Sequence, residues 1–103
     1  MNDKLESIIK TGYGMYTTAG SKSIENKFRT LIKKLEKEDA SVGYKIDAIA
    51  KLITSYRKMS NTKSFSESGD TAVREEVWSV LCKVSENFNI PYPVVDWIWD
   101  NTY

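Results

Sequence analysis

The clearest structural signal in this chain is an apolar stripe with helical spacing. Ile24, Phe28, Leu31, Ile32 and Leu35 follow one another at the intervals that place side chains on one face of an α-helix. Lysines and glutamates occupy the opposite face, as they do on a helix that packs one side against a core. No strand-like alternation of useful length competes with this pattern anywhere in the sequence. The chain is therefore expected to be all-α.

Three further segments repeat the helical pattern. Residues 3–10 form a short stripe with Leu5, Ile8 and Ile9; a longer stripe comprises Ile46, Ile49, Leu52, Ile53 and Tyr56; the last comprises Val73, Val77, Val80, Leu81, Val84 and Phe88. The sequence predicts a single domain over residues 1–103. Its expected fold is an antiparallel four-helix bundle with a short N-terminal helix and loop and an aromatic C-terminal segment.

The segments between these helices contain turn and capping residues. Ser21 or Ser23 is expected to cap the helix of the first stripe, and Ser41 the helix that follows. Residues 11–20 are predicted to form an irregular loop anchored by Tyr13, Met15 and Tyr16. A second loop, residues 60–69, is polar except for Phe65. The helices on either side of Ser41 are joined by only a few residues, so they should pack antiparallel.

The C-terminal segment, residues 90–103, is the most apolar and aromatic part of the chain. Pro91 and Pro93 remove two backbone donors, so the preceding helix must end near Phe88. Pro93 suits the first turn of a new short helix. The expected faces of that helix are Val94, Trp97 and Ile98 on one side, and Val95 and Trp99 on another. Its aromatic residues either complete the core or form a partner-binding surface, for which Tyr92, Trp97, Trp99 and Tyr103 are the candidates.

The formal net charge of +1 conceals a division along the chain. Residues 21–63 contain eleven lysines and arginines against five acidic residues, whereas residues 64–103 contain two against seven. A basic pair of helices lying against an acidic pair would be mutually attractive. Alternatively, Lys27, Lys33, Lys34 and Lys37 could face an anionic membrane surface or nucleic acid. The basic face lacks interleaved aromatics and has more lysine than arginine, so only nonspecific nucleic-acid binding would be expected.

The residue types needed for most catalysis are missing or dispersed. The chain has no histidine and a single cysteine, Cys82, which is expected to be a small buried side chain. Its carboxylates are not spaced as a metal site, and no cofactor is expected. Gly20 to Ser23 resembles the end of a phosphate loop without the first glycine, so phosphate binding at a helix N-terminus stays open. The prediction is a non-enzymatic protein.

Residues 1–12 indicate the compartment. They contain no sustained apolar run, and Asp3 and Glu6 interrupt their few apolar residues. Neither a secretory signal nor a spanning helix is expected there. The predicted location is the cytoplasm, with or without association to a membrane.

The segment from Ile24 to Val42, followed by the stripe that begins at Ile46, resembles the immunity proteins of pediocin-like (class IIa) bacteriocins. In that family a lysine-rich amphipathic helix ends in a short turn, often with a serine and valine such as Ser41 and Val42, before a second apolar helix. Downstream, the polar loop with Phe65, a helix over residues 71–88 and an aromatic C-terminal segment continue the likeness. It covers about residues 24–92, and Gly43 stands where family members often have proline. The family fold is an antiparallel four-helix bundle.

The resemblance implies a cytoplasmic, non-enzymatic protein that protects its producer. In the family, the C-terminal half determines which bacteriocin is neutralised, at the membrane component of the sugar phosphotransferase receptor once the bacteriocin is bound. Carried over, recognition would lie on Tyr92, Trp97, Trp99 and Tyr103, and the four lysines would favour the anionic cytoplasmic leaflet. Two alternatives stay open: a small inhibitor or adaptor, for instance phage-encoded, that binds a soluble host protein, and a nucleotide- or nucleic-acid-binding module.

Overall fold

A computed structural model describes residues 3–13, 18–60 and 70–103 of the protein. These residues form five α-helices and no strand: α1 Asp3–Ile9, α2 Thr18–Leu35, α3 Val42–Ser60, α4 Asp70–Asn87 and α5 Tyr92–Thr102. The predicted all-α bundle, with its short N-terminal helix and aromatic C-terminal segment, is confirmed. Of the loop residues named above, Met15, Tyr16 and Phe65 lie outside the described residues.

The apolar stripes form the core as their spacing predicts. Each of the five helices contributes fully buried residues, and the largest buried side chains besides two tyrosines are leucines, isoleucines and Phe28. Ile46 and Phe88, at the edges of their stripes, are only partly buried. The periodicity thus identified the buried face of α2, α3 and α4 from the sequence alone.

The N-termini of α2 and α3 are determined by different interactions. Ser41 caps α3 as predicted, because its Oγ accepts a hydrogen bond from the Tyr44 N–H at 3.1 Å. The prediction that Ser21 or Ser23 caps α2 is wrong, since α2 begins at Thr18 and both serines lie inside it. Ser21 Oγ donates instead to the Gly12 carbonyl at 2.6 Å. A glycine inside a helix costs only about 1 kcal/mol, and the packing of an 18-residue helix outweighs that cost at Gly20.

The helices pack as two hairpins. Helices α2 and α3 line a shared groove and are joined by only a few residues between Leu35 and Val42, which makes them an antiparallel pair. The turn after Asn87 reverses the chain, and α5 returns along α4 while also packing against α3. Helices α3 and α5 run parallel. Ile46 and Val94 share a groove at one end, and the rings of Tyr56 and Tyr103 stack near the other.

A Schellman motif makes the turn from α4 to α5. The Ile90 N–H donates to the Ser85 carbonyl at 2.9 Å and the Asn89 N–H donates to the Glu86 carbonyl at 3.0 Å. Asn89 adopts a left-handed conformation with φ of 61°. Pro91 then takes the N-cap position with extended backbone, φ −64° and ψ 147°. The interruption predicted from the two prolines is confirmed, and the new helix reaches Thr102.

The N-terminal helix is held by polar contacts that the apolar pattern does not reveal. The carboxylate of Glu6 on α1 accepts two hydrogen bonds from the Arg29 guanidinium on α2, at 2.5 and 2.8 Å. These bonds lower the pKa of Glu6 to about 2 and raise the pKa of Arg29. Tyr13 is buried as expected of a loop anchor, with its ring stacked on Phe28 at 5.9 Å and its hydroxyl donating to the Ile9 carbonyl.

Candidate partner-binding surfaces on the C-terminal helix

The buried face of α5 is narrow. Val95 and Ile98 are its fully buried residues, separated by one helical turn. Trp97 follows Val95 by two residues, about 200° around the helix axis, and 60% of its surface is exposed. The expectation that Trp97 shares a face with Ile98 is therefore wrong, because the core touches α5 along a line that Trp97 does not reach.

The four candidate aromatic residues fall into two groups. Tyr92, Trp99 and Tyr103 lie on one flank of α5, since positions seven and eleven residues apart return to nearly the same side of a helix. Trp97 lies about 140° from Tyr92. Trp99 and Tyr103 are partly buried against the core, whereas Tyr92 is 60% exposed.

Trp78 on α4 joins the flank of Tyr92, Trp99 and Tyr103 to the bundle. Its ring meets Tyr92 at 5.8 Å with an interplanar angle of 75°, and Trp99 at 5.1 Å with an angle of 67°. Trp99 in turn stacks on Tyr103 at 4.8 Å and 8°. Offset and edge-to-face pairs of this kind are the favoured aromatic geometries. Trp78 is thus a member of the candidate site that was not among the residues predicted from the sequence.

Two arginines complete the end of this cluster. The Arg57 Cζ lies 5.0 Å from the Tyr103 ring centroid, and the Arg74 Cζ lies 5.9 Å from it. Both distances are within the range of cation–π attraction. Arg57 belongs to the basic part of the chain, residues 21–63, and Tyr103 to the acidic part, residues 64–103. The contact between them is a cation–π contact with the tyrosine ring rather than an ion pair.

A surface groove of about 330 Å³ opens beside Trp78, between α4 and α5. We call it the aromatic groove. Its rings are Trp78, Tyr92 and Trp99, and its charged side chains are Arg74, Glu75, Asp96 and Asp100. It therefore combines ring faces with carboxylates, an arrangement suited to a cationic group.

A second and more apolar groove lies on another side of α5. Val94, one turn before Trp97, lines a groove of about 160 Å³ together with Val42, Ile46, Phe88 and Ile90. Val42 is 74% exposed and, with Tyr92 and Trp97, belongs to the strongly exposed large apolar residues in the described part of the chain.

The four lysines predicted to face an anionic surface do not lie together. Lys27 and Lys34 are partly buried and line the groove between α2 and α3, where Lys51 joins them from α3. Lys33 is exposed on α2 and Lys37 is exposed in the segment that follows this helix, where its ammonium lies 5.4 Å from the Tyr44 ring centroid. One half of the predicted basic face is thus a groove and the other half is open surface.

The segment from Gly20 to Ser23 offers a poorer phosphate site than its sequence indicates. It lies inside α2 rather than ahead of it. The N–H groups of Lys22 and Ser23 fall within the reach of the i to i−4 ladder, and the Ser21 hydroxyl donates to Gly12. The helix start that would offer unpaired donors is therefore displaced from the residues that resemble a phosphate loop.

The remaining candidates for catalytic or metal chemistry are Cys82 and the carboxylates. Cys82 is partly buried, and burial, with a smaller effect of the Asp96 carboxylate, raises the pKa of its thiol. A raised thiol pKa lowers the thiolate fraction and with it the reactivity of the cysteine. Within residues 3–13, 18–60 and 70–103, no group of three or more histidine, cysteine, aspartate or glutamate side chains is arranged to hold a metal ion.

Comparison of the chain with protein-family models, curated proteins and solved structures gives no match. Among the helices described here, none has both the length and the apolar character needed to cross a membrane.

Proposed function

We propose that the protein is a non-enzymatic binding protein of the bacteriocin-immunity type, with α5 as its recognition helix. In this proposal it protects the producer cell from the cytoplasmic side, by binding a membrane-embedded sugar-transporter component that carries the bacteriocin. The resemblance of residues 24–92 to pediocin-like immunity proteins motivates the class. The exposed aromatic residues of α5 motivate the site.

The observation that carries the proposal is the exposure of Tyr92 and Trp97 on an anchored helix. Each keeps 60% of its surface exposed, although α5 is fixed to the core by Val95 and Ile98. Exposed tyrosine and tryptophan on a rigid element provide large contact areas at low entropic cost, and both residue types are enriched at binding hot spots. The two side chains point to different sides of α5, so a partner that contacts both must cover two sides of the helix.

A survival assay tests this function. A sensitive Gram-positive strain expressing the protein is challenged with a panel of pediocin-like bacteriocins, and protection against one or a few of them is the expected result. Tyr92→Ala with Trp97→Ala should abolish protection without reducing the amount of folded protein. Tyr44→Ala is the matched control, because Tyr44 is a partly buried tyrosine outside α5 and contacts Lys37. Full sensitivity to the whole panel, with folded protein present, would refute the proposal.

The lysine groove supports an accompanying contact with anionic lipid. Lys27, Lys34 and Lys51 line one groove, in which Lys51 is also paired with Asp47 at 3.1 Å, and Lys33 and Lys37 are exposed elsewhere on the surface. Each lysine close to an anionic surface contributes about 1 kcal/mol of attraction. Sedimentation with phosphatidylglycerol vesicles should detect this binding, and it should weaken as salt is added. Phosphatidylcholine vesicles are the control, and equal binding to both would exclude an electrostatic contact.

The exposed aromatic residues also fit the alternative of an inhibitor or adaptor of a soluble host protein. A pull-down without detergent separates the two functions. A stoichiometric soluble partner, lost in the Tyr92→Ala, Trp97→Ala variant, would favour the alternative, whereas a partner retained only with solubilised membranes would favour the receptor.

A further inference from the structure

The aromatic groove has the geometry of an open cation-binding cleft. Tyr92 and Trp99 are two helical turns apart on α5, about 10 Å along the axis. Both rings contact Trp78 from α4, at angles of 75° and 67°. The three rings therefore present faces in different directions around one depression, which a single stack of parallel rings would not do.

Carboxylates lie where a cation in this cleft would need them. Asp96 follows Tyr92 by four residues and precedes Trp99 by three, so it lies between the two rings on the same side of α5. Asp100 continues that side one turn later, and Glu75 faces it from α4, three residues before Trp78.

Arg74 lines the groove, but the ring that its guanidinium contacts is that of Tyr103. The cation–π contacts of Arg57 and Arg74 are made with Tyr103, beyond Trp99. Among the described residues, no lysine or arginine lies over the rings of Trp78, Tyr92 or Trp99. The ion pairs described between side chains involve Glu6, Lys10, Arg29, Asp47 and Lys51, and none involves the three carboxylates of the groove.

We propose that the aromatic groove binds a lysine or arginine side chain presented by the partner protein. The inference deepens the proposed function and rests on α5 being the recognition helix. Ring faces attract the cation through their quadrupoles, and the carboxylates add Coulomb attraction, so the two contributions select a positively charged group over a neutral one of the same shape. A side chain of a protein segment fits better than a free ammonium compound, because the groove is an open surface cleft rather than an enclosed cage, and Tyr92 in its lining is 60% exposed.

The binding test uses the whole protein and synthetic peptides. The probe is a short peptide of alternating glycine and lysine, with an arginine version and a norleucine version that keeps the length and removes the charge. Binding is followed by tryptophan fluorescence in a Trp97→Phe background, in which Trp78 and Trp99 report on the groove. Saturable binding of both basic peptides is expected, with at least tenfold weaker binding of the norleucine peptide.

A charge-matched pair of variants locates the site. Asp96→Asn should weaken binding of the lysine peptide about tenfold, the effect of removing one nearby charge from a partly solvated ion pair. Asp39→Asn removes one exposed acidic charge in the turn between α2 and α3, and should leave binding within twofold of the parent protein. Equal weakening by both variants would show a general attraction to acidic protein and would overturn the proposal. Circular dichroism checks that both variants keep the helical fold.

Tetramethylammonium chloride distinguishes the two sources of a cation. If tetramethylammonium binds weakly and is displaced by the basic peptides, the ligand is a protein side chain. Binding tighter than that of either peptide would overturn this assignment in favour of a small quaternary ammonium ligand.

The survival assay distinguishes failure of the proposed function from failure of the cation-binding inference. If peptides bind through Asp96 but no bacteriocin is neutralised, the proposed function fails and the cation-binding groove stands. If the protein protects cells and Asp96→Asn protects them equally well, the groove is not the recognition site and the inference fails.

Discussion

Replacing Trp99 by alanine should destabilise the protein far more than the same change at Trp97. Trp99 is partly buried, stacks on Tyr103 at 4.8 Å and meets the edge of Trp78 at 5.1 Å. A fully buried tryptophan or phenylalanine loses about 3–5 kcal/mol on truncation, and each aromatic pair contributes about 0.5–1.5 kcal/mol beyond its buried area. For a partly buried ring with two such pairs, we expect a loss of about 2–3 kcal/mol.

Trp97→Ala should lower the free energy of unfolding by no more than about 0.5 kcal/mol, as substitutions at other exposed positions do. The interaction that Trp97 contributes to α5 is made by its carbonyl, which accepts a hydrogen bond from Asn101 Nδ2 at 2.8 Å. That bond does not depend on the indole ring. Urea unfolding followed by circular dichroism measures both variants without relying on the tryptophan signal that the substitutions remove.

Trp99→Phe is the control, because a smaller ring keeps part of the stack and should recover part of the lost stability. Equal costs for Trp97→Ala and Trp99→Ala would refute the division of α5 into an anchored flank and an exposed side. A larger cost for Trp97→Ala would mean that the helix is rotated relative to its described position.

Three further predictions concern the rest of the bundle. Asn89→Gly should raise the free energy of unfolding by up to about 1 kcal/mol, because Asn89 has a φ of 61° and glycine adopts that conformation without a Cβ penalty; chemical denaturation measures it, and a loss of stability would contradict it. Ser85→Ala should raise stability by about 1 kcal/mol, since the buried Ser85 hydroxyl has no hydrogen-bond partner in the described part of the chain; a lower thermal midpoint would indicate that it has one. The pKa of Glu6 is lowered from 4.5 to about 2, chiefly by its hydrogen bonds to Arg29, so its ionised form stabilises the fold above pH 4.5 and this contribution disappears as the pH falls towards 2. Thermal midpoints across that window should fall less steeply for Glu6→Gln than for the parent protein, and parallel curves would show that the bond to Arg29 does not control acid stability.

The sequence predicted the parts of the fold that depend on periodicity and backbone chemistry. The stripe from Ile24 to Leu35 is buried because intervals of three and four residues fix a helix face, whatever the neighbouring elements are. Ser41 caps its helix and Pro91 precedes α5 for equally local reasons. Such features depend on residues within one or two turns, which a sequence displays directly.

Features that depend on distant residues were not predicted. The bond between Glu6 and Arg29 joins residues 23 positions apart. Each of them has several charged neighbours in the sequence, and nothing in the sequence indicates which charged residue pairs with which. Trp78 carried one available signal, since it is a tryptophan beside an apolar stripe rather than within it. Its role at the groove became visible only when α4 and α5 were placed antiparallel with Tyr92 and Trp99 on the facing flank.

The aromatic C-terminal segment was predicted to belong either to the core or to an interface. The structure shows that its residues differ in this respect: some pack against the core and others are exposed. A helix turns about 100° per residue, so apolar residues at positions 94, 95, 97, 98 and 99 cannot share one face. The core of this bundle needs Val95 and Ile98, and Trp99 and Tyr103 pack along its edge. Burial in the core does not account for Trp97, whose side chain is 60% exposed. A polar residue would be expected there in an amphipathic helix that served only to close the core, and we therefore propose Trp97, with the equally exposed Tyr92, as the centre of a partner-binding surface on α5.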